Sequence, residues 1–114
     1  MSVGRGALVV IHLANPTEKF WGVLEALEGV GLTFRGISLD SYEEWVTEIA
    51  RRGPSDLGLA TMFVPLFRVE RIFLDEQVGS VESYRQRFER RVGAPVTRFV
   101  ALAEDEPETP NQPF

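Results

Sequence analysis

Hydrophobic residues fall in short runs over most of the chain and at helical spacing in only two places. ALVVIHL, residues 7–13, is β-branched and ends at Asn15-Pro16, so it reads as a strand closed by a turn. KFWGVLEAL, residues 19–27, has an aromatic pair and an internal glycine and reads as a second strand, although Leu24 and Leu27 also fit a helix. Glu28-Gly29-Val30-Gly31 supplies a hairpin turn, and LTFRGISL, residues 32–39, alternates apolar and polar positions as a third strand. These three runs predict an antiparallel meander. Residues 60–64 and 69–74 are two further β-rich runs, separated by Pro65-Leu66-Phe67-Arg68, where proline forces the chain to bend.

The period changes at Asp40-Ser41. Tyr42, Trp45, Val46 and Ile49 share one helical face, Ser41 and Glu44 have capping-box spacing, Glu48 can pair with Arg52, and Gly53-Pro54 stops the segment, predicting a helix over about 42–52. A second helix is predicted over about 81–92, capped by Ser80 and ended by Gly93, with Val81, Tyr84, Phe88 and Val92 on one side. Residues 96–102, VTRFVAL, follow Pro95 as a last strand or an extended segment packed on the body. Small all-β domains remove exposed edges by closing. The expected fold is therefore α+β and mainly β: a small five-stranded antiparallel barrel with an inserted helix, a second helix and a C-terminal extended strand.

Two of these stretches, KFWGVLEALEGVGLTFRGISLD and MFVPLFRVERIFLDE, resemble the small β-barrels of the Sm-like and SH3-like kind over residues 19–39 and 60–75, roughly a third of the chain. The resemblance implies a three-strand meander followed by fourth and fifth strands joined by a single tight turn. The chain departs from the Sm-like pattern by starting with a strand and by inserting a helix between the third and fourth strands. The aromatic and polar pair with which RNA-binding members hold a base has no counterpart here, so the resemblance assigns RNA binding to no residue.

A length of 114 residues with 44% hydrophobic content suits one domain, expected over residues 1–103. The last eleven residues, EDEPETPNQPF, carry four acids and no base, which predicts an acidic, proline-rich disordered tail over 104–114. Without those residues the net charge of −5 shrinks to −1, since the body has 13 acids against 12 bases, eleven of them arginine. No signal-peptide pattern follows Met1 and no apolar run approaches a membrane span, so a cytoplasmic location without membrane contact is expected.

Candidate chemistry is sparse. There is no cysteine, and the single histidine, His12, lacks an evident nucleophile partner, so no catalytic constellation, metal set or cofactor is expected. Asp40, Glu43 and Glu44 stand where a helix start favours acids. Lys19, Trp21 and Arg35 form a candidate stacking and phosphate-contacting patch, with core packing as the competing role for Trp21. Arg68 and Arg71 flank Glu70 at the strand bend and suit an anion or the acids of another subunit. Arg87, Arg90 and Arg91, with Arg85, are the densest basic group, serving either a nucleic acid or a solvated face in which Arg85 pairs with Glu89. The expected function is a non-catalytic binding or scaffolding module that self-associates as a homo-oligomer. The alternative is an RNA-binding small barrel whose acidic tail modulates binding.

Overall fold

Two glycines facing each other across adjacent strands set the shape of the sheet. Gly22 and Gly36 are directly paired, and a Cβ on either would collide with the backbone of the other's strand, so the two chains pass closer than side chains allow. The computed structural model describes residues 3–103. Its strands are β1 (Leu8–Leu13), β2 (Glu18–Leu27), β3 (Gly31–Ser38), β4 (Ala60–Pro65) and β5 (Val69–Leu74), and its helices are α1 (Leu39–Ala50) and α2 (Tyr84–Val92). The strands form one antiparallel sheet in the order β4-β3-β2-β1-β5. The predicted five strands and two helices, mainly β, are therefore present. The sheet is not closed, since β4 and β5 are its two edges and no ladder joins them.

The edges nonetheless converge at one end. Only the 3-10 turn Leu66–Arg68 separates Pro65, the last residue of β4, from Val69, the first of β5. In a flat sheet the outer two of five strands would lie about 19 Å apart. Four residues reach at most about 14 Å, so the sheet curls.

Curling buries both faces in different ways. Val9, Ile11, Leu24, Leu32, Phe34 and Val64 line the inside of the curl and pack on one another. The outer face presents Leu8, Val10, Trp21, Val23 and Ile37 to Tyr42, Trp45 and Val46 of α1 and Phe88 of α2. Trp21, Trp45 and Phe88 form a chain of ring contacts through this layer, with centroids 5.8 and 5.3 Å apart.

Helix α1 starts earlier than its sequence pattern predicts. Ser38, not Ser41, is the N-cap, its hydroxyl accepting from the Asp40 amide at 3.1 Å. Glu48 does not hold Arg52; its carboxylate accepts from the Ser55 hydroxyl and the Asp56 amide and organises the following turn. Helix α2 starts later, at Tyr84, with Ser83 rather than Ser80 as cap and Gln86 completing a capping box. The reason lies upstream: Val78 and Val81 bond each other's backbone around Gly79, whose φ of 59° suits glycine and ends the helical pattern there. Gly93 ends α2 in the left-handed region, as expected.

The predicted last strand is absent. Residues 96–98 form a 3-10 turn, because the Val96 amide is held by the Glu89 carboxylate and the next amides bond back to Pro95 and Val96. The segment still packs on the body through Val96, Val100 and Leu102. The predicted acidic tail lies outside the described residues. No helix among the described residues is long and apolar enough to cross a membrane.

Candidate functional site

Polar groups under the helices are matched to partners within the chain. Asp75, at the end of β5, accepts from Trp21 Nε1 at 3.0 Å and from the backbone amides of Tyr84 and Arg85 at 2.8 and 2.9 Å. One carboxylate thus ties β2 to β5 and satisfies two of the orphan donors at the start of α2. The Tyr42 hydroxyl donates to the Tyr84 carbonyl at 2.5 Å, and burial, reinforced by the charge of Asp75, pushes that phenol well above its ordinary pKa. Trp21 is fully buried with its nitrogen committed to Asp75, so the stacking role foreseen for it is corrected to a core one.

The arginines of α2 are likewise engaged. Arg87 and Arg91 reach across to Glu43 of α1 at 2.6 and 2.5 Å, Arg91 also donates to Thr47, and Arg87 and Arg90 hold Glu82 at 3.4 and 2.6 Å. Hydrogen bonding from Arg90 keeps the Glu82 carboxyl below its usual range, and the hydrogen bond that Arg87 donates to Glu43 raises Arg87 further. Arg85 pairs with Glu89, as its i, i+4 spacing foretells. Arg68 is also committed: its guanidinium donates to the carbonyls of Ala14 and Pro16 and to Glu18, clamping the turn between β1 and β2. Much of the basic density in the sequence thus serves internal packing, which leaves less charge free for a phosphate backbone.

A different set is left over. The β-ladders place Lys19 of β2 opposite His12 of β1, and His12 opposite Arg71 of β5, so a cation, an imidazole and a second cation form one row across three strands. Arg71 keeps the register of the three preceding pairs, and the shift falls just beyond it, between His12 and Leu13, leaving Glu70 as the extra residue. Phe73 packs edge-on against His12 at 5.0 Å and lies under the Arg71 guanidinium at 5.9 Å. Burial, then the charges of Lys19 and Arg71 outweighing Glu70, lowers the His12 pKa below its ordinary 6.5. Arg35 is not part of this row. It pairs with Val23, four residues from Lys19 or about 13 Å along the strand, and with Arg98 lines a separate shallow depression.

The third feature is apolar. Val30, Phe63, Leu66 and Phe67 are exposed where the turn between β2 and β3 meets the end of β4, Phe67 to 88% and Phe63 to 55%. Their proximity is fixed by the Leu66 amide, which donates to the Val30 carbonyl at 2.9 Å. Sequence reasoning passed over Phe63, Phe67 and His12 as site residues. The signal for the first two was an apolar residue beside Pro65 in a bend that buries little; for His12 it was only the register, which no local pattern carries.

Among the described residues no group of His, Asp and Glu side chains is placed to hold a metal ion. The chain matches no protein family, no curated protein and no solved structure with which it was compared.

Proposed function

We propose that the chain is a non-catalytic scaffolding module that self-associates through the β4 edge and the apolar end around Phe67. The observation that carries this reading is the composition of that edge: β4, ATMFVP, has no charged residue, and its neighbours Val30, Leu66 and Phe67 are exposed. Edge strands are normally blunted with charge or covered, and an uncharged edge beside an apolar patch is suited to strand addition. A second copy is the proposed occupant because the same 3-10 turn that carries the patch joins β4 to the other open edge, β5. Each molecule therefore offers two free edges and an apolar anchor between them, the equipment for a closed symmetric assembly.

The strand order and the single-turn link also support reading the curled sheet as an open variant of the Sm-like and SH3-like small barrel, with α1 inserted between β3 and β4. Light scattering on the full chain tests the proposal. The expected mass is a fixed multiple of 12.8 kDa, reduced to the monomer by Phe67→Ser combined with Phe63→Lys, with an unchanged far-UV spectrum. A wild-type monomer at tens of micromolar overturns it.

A further inference from the structure

Both helices end on a left-handed residue, Arg52 after α1 at φ 59° and Gly93 after α2 at φ 77°, and the turns that follow border a cavity of about 530 Å³. Its floor is apolar, built from Trp45 and Ile49 of α1, Val92 of α2 and Phe99. Two places in its wall are glycine, and a Cβ on Gly53 or Gly93 would meet nothing within 4 Å, so the mouth stays open. Backbone bonds hold the walls in position: the Arg52 amide donates to the Ile49 carbonyl, that of Gly93 to Glu89 and that of Phe99 to Val96. A pre-formed, mostly apolar cavity of this size suits a small molecule.

Two cations line this cavity, Arg52 and Arg98, and among the described residues no carboxylate does. Both guanidiniums are exposed and satisfied by water, so it is the shared cavity, and not the lack of an ion-pair partner, that sets them apart from other surface arginines. The neighbouring depression places Glu25 in the same lining as Arg35, and the groove that Lys19 lines holds Asp75, Glu76 and Glu82. Ser55, in the wall, donates its hydroxyl to Glu48, whose carboxylate also takes the Asp56 amide. The two helix C-termini bring about half a negative charge each, which two full positive charges outweigh. We propose that the cavity binds a small organic anion with an apolar body, the body against Trp45, Ile49 and Phe99 and the oxyanion head at the rim with Arg52 and Arg98. A planar guanidinium matches such a head with paired N–H donors, while the aromatic floor removes the body from water. The site is independent of self-association, since it uses neither the β4 edge nor Phe67.

The test is an NMR titration of the full chain with benzenesulfonate, with benzyl alcohol as a similar body without charge and inorganic sulfate as a head without a body. Expected are saturable shifts at the Trp45 indole, Ile49, Val92 and Phe99 with benzenesulfonate, several-fold weaker binding of the alcohol, and no saturable shift at these residues with sulfate. The exposed double variant Arg52→Gln, Arg98→Gln is expected to keep the fold and lose about tenfold in affinity for benzenesulfonate, whereas Arg35→Gln leaves it unchanged. Ala94→Leu narrows the cavity without altering its charge and is expected to weaken sulfonate and alcohol alike. Equal affinity in the double variant, the alcohol or sulfate binding as tightly as benzenesulfonate, or a titration that leaves Trp45 and Phe99 unmoved would each overturn the proposal.

Discussion

The outer face of the sheet is divided between two regimes. Where α1 and α2 cover it, Trp21, Tyr42, Arg87 and Arg91 each meet a partner from another part of the fold. A few residues along the same strands, Lys19, His12 and Arg71 lie in one row where His12 and Arg71 contact the Phe73 ring and, among the described residues, no ion pair is made. The covered half shows that this chain matches its buried and half-buried polar groups with partners inside the fold. The difference follows exposure: a polar group beneath the helices needs a partner within the chain, whereas Lys19 and Arg71, like Arg35, Arg51, Arg52 and Arg98, are exposed to water, which satisfies a charge without one.

Substitutions at graded distances from the covered half sharpen this contrast. Asp75→Ala leaves the Trp21 nitrogen and two helix-start amides without their acceptor, and is expected to cost about 2–4 kcal/mol, read as a lowered midpoint in urea unfolding. Glu43→Gln removes the charge that Arg87 and Arg91 share on a half-exposed surface, and about 1 kcal/mol or less is expected; a loss as large as that of Asp75→Ala would mean the ion pairs organise the helix packing. In the open half the effect is smallest and depends on pH. Because His12 titrates lower in the folded chain than when unfolded, its contribution is complete above its ordinary value of 6.5 and is lost as pH falls through the lowered one. His12→Gln is therefore expected to flatten the acid side of the stability profile below about pH 6.5 and leave neutral pH unchanged; an unaltered acid limb would show that the row's crowding is relieved in the folded state.

Strand positions were legible because β-branched runs, glycines and Pro65 act locally, and all five strands lie within a residue of their expected starts and ends. Helix starts were not, because Ser38 and Ser41, and again Ser80 and Ser83, offer alternative caps one turn apart. At α2 the choice is made by Asp75, nine residues before Tyr84, whose carboxylate binds the amides of Tyr84 and Arg85. The final segment has strand composition, yet Glu89 captures the Val96 amide and the following amides bond back to Pro95 and Val96, which winds it into a turn. Site residues divide in the same way. Lys19 and Arg71 stand out in the sequence as cations, but their alignment through His12 depends on the register of three strands, which is tertiary information.

The three-residue link between β4 and β5 also bears on how the chain reaches this shape. The β1–β5 ladder joins residues about sixty positions apart, a slow pairing if made from an open chain. Once β4 has zipped onto β3, the short turn delivers β5 to the neighbourhood of β1, and the remaining search is that of a much shorter loop. The link thus shortens the search: with β4 in place, β5 has only a short loop to close before it reaches β1.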